Sequence, residues 1–325
     1  MQPLKIALSA LIAGLPSMTL ADAPRVVADI APVHSLVAQI MDGVGEPDLL
    51  LPAVTSPHDY SLRPSDARIL QDADAVFWVG GALTPWLAET LETLSASATT
   101  ISLIESEGTV RRAFREGATF AKVGEDDDHD HDHGHKDEDD HDHAEAAHDT
   151  HDHSGLDPHA WLDPVNASTW LKVIASELSR IDPENSSLYQ SNLSNSLRVI
   201  NVLTQELEED LRSVAPLRFV VLHDGYRYFE DRFGMRAVGA ISASDAAAPS
   251  AGRVRAIRHA IKEQGVSCLF TEVQLDAPIV DVFAGETDIA VGTLDPLGAL
   301  LEPGKDLYAE KMKGIAAAFK ACMSL

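Results

Sequence analysis

Cysteine is scarce: two in 325 residues. That is too few for a disulfide-built scaffold and too few for an all-cysteine zinc module. Basic residues are also short, with 25 Lys and Arg against 51 Asp and Glu, a net charge of −26. A surface that acidic repels phosphate backbones, which argues against nucleic acid as a partner. Beyond the N-terminus no apolar run is long enough to cross a bilayer. The HExxH pattern of zinc proteases and the GxSxG pattern of serine hydrolases are both missing.

What is present starts with an address. Residues 1–21 carry Lys5, then an apolar run from Ile6 to Leu15, then Thr19-Leu20-Ala21 before Asp22. This reads as a cleaved signal peptide, so the mature chain is expected to be exported to the periplasm. Export makes the cysteines informative. In an oxidising compartment Cys268 and Cys322 are expected to pair, closing a loop worth roughly 4 kcal/mol in the chain-entropy account. Two buried free thiols are the alternative.

The length fits two domains. Short Val-, Ile- and Phe-rich runs predict strands at Arg25–Ile30, Leu49–Ala53, Ala75–Val79 and Thr100–Leu103. A second set follows at Arg218–Leu222, Arg236–Ala240, Val266–Phe270 and Ile289–Thr293. Helix-period stretches lie between them, including His34–Met41, Thr84–Leu94, Asn166–Ile181 and Val254–Gln264. Continuous apolar strands alternating with helices predict an α/β fold of two lobes. Each lobe is a mainly parallel four-stranded sheet flanked by helices. Between Pro183 and Val214 no further Pro or Gly occurs, and Leu193, Leu197, Ile200, Leu203, Leu207 and Leu211 form one apolar stripe. One long rigid helix, about 45 Å if it spans 30 residues, is expected to join the lobes, with Asp182 as its N-cap. The expected division is an N-terminal lobe over 22–181, a linking helix over 182–214 and a C-terminal lobe over 215–325.

Residues 125–153 break the first lobe. They hold 14 acidic residues against one lysine, half of the net charge, together with nine histidines: His129, His131, His133, His135, His141, His143, His148, His151 and His153. With almost nothing apolar to bury, the segment is expected to be disordered. Imidazole and carboxylate at that density suit weak, exchangeable binding of transition metals.

Five histidines remain. His58 follows the second strand, His223 ends the fifth, and His159 stands before a helix in GLDPHAWLDP. Ligands of open α/β sheets gather at the carboxyl ends of strands. Three imidazoles meeting in a cleft between lobes would form a zinc-type site. The fourth donor is left open between Asp295, Glu272 and a water or chloride, with Asp295 the first choice. His34, near a helix start, and His259, among Arg255, Arg258 and Lys262, are read as packing and surface residues.

At these positions the chain resembles the zinc-binding solute receptors of bacterial ABC importers, within the wider cluster of metal receptors. The motifs are His58-Asp59-Tyr60-Ser61-Leu62-Arg63-Pro64-Ser65-Asp66, Asp157-Pro158-His159-Ala160-Trp161-Leu162, His223-Asp224 and Gly292-Thr293-Leu294-Asp295-Pro296-Leu297-Gly298. The resemblance implies two lobes on a rigid helix, a mobile His-rich loop and a disulfide like Cys268–Cys322. It also implies Zn2+ as the transported ligand and a membrane permease as partner. Some relatives place Glu directly before the first His, where this chain has Pro57. Manganese receptors of the same fold often have Glu where His223 stands, and His favours Zn over Mn. The expected activity is capture without catalysis, by a monomer; the His-rich segment is read as raising the local zinc concentration, as a sensor, or as an exchange point with another periplasmic zinc-binding protein. The competing readings are a zinc hydrolase, a zinc chaperone or adhesin, and a Mn2+ receptor.

Overall fold

The computed structural model describes residues 23–120, 155–242, 248–275, 278–286 and 289–324. The expected signal peptide and the whole of the His-rich segment, including all nine of its histidines, lie outside the described residues.

In the first sheet β1 (Val26–Ala28), β2 (Asp48–Leu49), β3 (Ala75–Trp78) and β4 (Thr99–Ser102) run parallel in the order β2-β1-β3-β4. In the second, β7 (Phe219–His223), β8 (Ala237–Ser242), β9 (Cys268–Glu272) and β10 (Ala290–Leu294) run parallel in the order β10-β9-β7-β8. Read from opposite edges these are the same order, so the two lobes repeat one topology. Central strands are buried on both faces, as their unbroken apolar runs require: every residue of β3 and β7 is buried. A short antiparallel pair, β5 (Arg112–Ala113) with β6 (Leu156–Asp157), was not apparent in the sequence.

Helices α1 (Ala31–Met41), α2 (Pro64–Asp72) and α3 (Pro85–Leu94) serve the first lobe. Helices α6 (Arg227–Phe233), α7 (Ala251–Glu263) and α8 (Pro278–Glu286) serve the second. Between the lobes run α4 (Pro164–Ile181) and the long α5 (Ser186–Leu211), and α9 (Leu307–Met323) follows the second sheet. The 26 residues of α5 span about 39 Å. Its start departs from expectation. A 3-10 turn, Pro183–Asn185, comes first. Asp182 does not cap α5; its carboxylate accepts from Tyr189 Oη at 2.7 Å and Asn185 Nδ2 at 2.8 Å, tying α5 back to the end of α4. The predicted stripe does face the core, with Ile200, Leu203, Leu207 and Leu211 buried.

One hydrophobic core crosses both lobes. It joins Val26 and Phe77 of the first sheet, Trp170 of α4, Leu203 of α5, Phe219 and Phe270 of the second sheet, and Phe319 of α9. Helix α9 packs on β10, α5 and α1. Cys268 and Cys322 are joined by a disulfide that pins the end of α9 to β9. Among the described residues no helix is long and apolar enough to cross a membrane.

A second tie between the lobes was also missed. Residues 118–120 lie antiparallel along the open edge of β8, through Phe120 N to Val238 O at 2.8 Å and Ala240 N to Ala118 O at 3.1 Å. They cover an edge that would otherwise offer unpaired backbone groups. Gly239 permits the approach: a Cβ there would lie against Ala118 O and 2.7 Å from Ile257 Cδ1. Gly239→Val is therefore expected to lower stability by about 2 kcal/mol through overpacking. An unchanged urea midpoint would contradict this contact.

Candidate metal centre

His58 stands on the loop between β2 and α2. Its backbone N–H donates to Ser56 Oγ at 3.2 Å, and the preceding Pro57 carbonyl accepts from Trp86 Nε1 of α3 at 3.0 Å. The rest of its motif builds the start of α2. Asp66 accepts from Tyr60 Oη, Arg63 N and Ser65 Oγ at 2.8–3.0 Å. Burial works against this carboxylate's charge, but those hydrogen bonds outweigh it and hold the group below its usual range.

His159 follows β6 and opens a 3-10 turn, Ala160–Leu162. Asp157 Oδ1 accepts from both its backbone N–H, at 3.0 Å, and its Nδ1, at 2.8 Å. His223 is the last residue of β7, and Glu272, the last of β9, accepts from its Nδ1 at 2.5 Å. An ionised carboxylate can only accept, so the proton of each neutral ring sits on Nδ1 and each Nε2 carries a lone pair. Those two Nε2 atoms face each other at 3.2 Å. Two nitrogens on a tetrahedral zinc, at Zn–N of 2.0–2.1 Å, stand about 3.3 Å apart. Gly225 keeps the space beside them clear. A Cβ there would lie 2.5 Å from His223 Nε2 and 3.1 Å from His159 Nε2.

The His159 ring neighbours both of the others, His58 with centroids 5.5 Å apart and His223 at 5.1 Å. Of the three expected ligands, His159 and His223 bring their Nε2 atoms together. Among the described residues no three His, Cys, Asp or Glu side chains already stand arranged to hold a metal ion. The third ring, His58, is carried by a loop, whereas the other two are locked by carboxylates and a strand end. All three line one cleft, together with Trp161, Glu272 and Gln274.

The two candidate fourth donors, Glu272 and Asp295, are placed differently from each other. Glu272 lies on the Nδ1 side of His223, where it orients the ring. Asp295 is committed to its own loop. Its Oδ1 accepts from Gly298 N at 2.8 Å, Ala299 N at 2.9 Å and Gln274 Nε2 at 3.0 Å, and its Oδ2 from Leu300 N at 3.2 Å. The cleft wall beyond it is Pro296 and Leu297. Nearby, burial pushes the Lys311 amine of α9 down to about 7, and the Asp295 charge opposes that shift. Burial, then the Glu272 and Asp295 charges, lift the Tyr226 hydroxyl well above its ordinary value.

Next to His223, Asp224 accepts from Arg115, whose guanidinium also donates to Glu230 at 2.7 and 2.8 Å and lies 3.7 Å from the centre of the Phe120 ring. This cluster fastens the 115–120 segment to the second lobe beside the imidazoles. His34 is buried in α1 with Nε2 3.0 Å from Pro47 O, and His259 is exposed on α7.

The sequence comparisons agree with one another. The family model described as zinc-uptake complex component A, periplasmic (ZnuA), matches residues 26–322. The high-affinity zinc uptake system protein ZnuA of Paracoccus denitrificans (strain Pd 1222) is 43% identical over 304 residues, covering 93% of each chain. Its counterpart in Brucella suis biovar 1 (strain 1330) is 38% identical over 327 residues, covering 97% of each. Among solved structures, a zinc-bound ZnuA deletion mutant superposes with a TM-score of 0.71, covering 93% of this chain and 97% of that one. At 24% identity that likeness speaks for the fold.

Proposed function

Because the chain belongs to the periplasmic zinc-uptake component A family, we propose that it captures Zn2+ between its lobes and delivers it to the permease of an ABC importer. His159, His223 and His58 are the metal ligands in this reading. The observation that supports it most is the pair of Nε2 lone pairs, fixed by Asp157 and Glu272 and facing each other at 3.2 Å. Two such lone pairs repel unless a cation or a proton lies between them. Three neutral imidazoles suit Zn2+ better than Mn2+, which prefers oxygen donors.

His58 completes the set by swinging in on its loop as the metal arrives. Glu272 and Asp157 act through the rings, raising their basicity and holding their orientation. The core shared by both lobes leaves little room for a wide hinge. Release therefore uses a small tilt that draws the His58 loop away when the protein docks on its permease. The chain works as an exported, periplasmic monomer and not as an enzyme. Its His-rich segment raises the local zinc concentration and exchanges metal with a second periplasmic protein.

Zinc calorimetry tests the assignment. The full chain is expected to give one tight event and several weak ones, and removal of residues 125–153 should erase the weak events alone. Loss of the tight event on that deletion would move the site out of the cleft.

A further inference from the structure

Gln274 has no part in the scheme so far. It sits just beyond β9 and lines the cleft beside the imidazoles. Its Nε2 donates to Asp295 Oδ1 at 3.0 Å and, more weakly, to the Ala53 carbonyl at 3.4 Å. Both partners are pure acceptors, so the amide cannot be turned over: the nitrogen must face them and the oxygen must face the other way. One partner belongs to a loop of the second lobe and the other to the loop that carries His58. Among the described residues, the buried Oε1 accepts no hydrogen bond. A buried amide oxygen left without a donor is costly, and here it belongs to a residue that lines the cleft.

We propose that Gln274 selects the occupant of the metal's fourth position: its Oε1 accepts a hydrogen bond from a water bound there, while its Nε2 holds the two flanking loops. The inference rests on the zinc reading above. Three histidines leave one coordination position open. Asp295 is spent on its own loop and Glu272 on His223, so neither carboxylate is needed at that position. Water can donate to Oε1. Chloride, azide or a carboxylate cannot, and would set lone pairs against the amide oxygen. The choice also serves release, since a neutral water leaves more readily than an anion held by a dication.

Co2+ provides the readout, because its visible bands report the fourth ligand. The full chain is loaded with less than one equivalent of Co2+, so that the tight site fills first, and is titrated with azide. Gln274→Met, which keeps the side-chain length without an oxygen acceptor, is expected to bind azide about tenfold more tightly than the unaltered chain. Its Zn2+ affinity is expected to fall by a factor of about ten. Gln274→Leu serves as a second variant with the same expectation. Equal azide affinity in all three proteins would overturn the role of Oε1, even if zinc affinity fell, since a merely structural residue would lower affinity without changing anion preference. A cobalt spectrum untouched by His159→Ala would instead overturn the imidazole site beneath it.

Discussion

His159→Ala is expected to weaken zinc binding by about 10²–10³-fold. Structural zinc in small peptides is held by roughly 10–16 kcal/mol, which shared over four donors is about 2.5–4 kcal/mol each. His159 lies within 5.1 Å of His223 and 5.5 Å of His58 between ring centroids, and its Nε2 faces that of His223 at 3.2 Å. Its loss also leaves the Asp157 carboxylate, 1% exposed, without the ring it orients. Competition against a chelator of known affinity measures the change. His259→Ala, on the exposed face of α7, is the matching control and should bind as the unaltered chain does. A His159→Ala protein with undiminished affinity would remove the imidazole site from the account.

Arg115→Met should produce the largest loss of stability, about 3–5 kcal/mol. The guanidinium lies between the Asp224 and Glu230 side chains, which are 3% and 1% exposed. Burial alone would lower the Arg115 pKa, yet the two carboxylates outweigh it and raise it above its ordinary value. Methionine keeps much of the packing against Phe120 but strands two buried negative charges. The cost is that of unpaired charge, not of a lost surface bridge, which would be worth little. A urea unfolding midpoint that moves by less than the equivalent of 1 kcal/mol would show that water, not Arg115, satisfies those carboxylates. Because Asp224 adjoins His223, the variant should also bind zinc more weakly.

Much of the fold could be read along the chain, because the signals are local. Each of the eight predicted strands overlaps an observed one, and the Leu/Ile stripe placed α5 to within a turn at either end. Three histidines stood out by their positions after strands and before a helix. The disulfide followed from two cysteines in a chain expected to be exported.

What backs those histidines was not readable in the same way. His223 meets Glu272 across 49 residues, and Arg115 meets Asp224 across 109. Glu272 and Asp295 looked alike in sequence, each an acid after a strand. In space one orients an imidazole and the other closes a loop and clamps Gln274. Gly225 and Gly239 carry no chemistry, and their value is the room they leave for nitrogens and for a passing strand.

By itself, then, the order of residues determined the elements and picked out the candidate donors, since periodicity, caps and strand ends act over a few positions. Only the tertiary structure decided which nitrogen of His159 and of His223 faces a carboxylate, which carboxylate that is, and where the lobes are tied. Those outcomes depend on directions and distances of a few tenths of an ångström between segments far apart in the chain, and hydrogen bonds and coordination are sensitive to both.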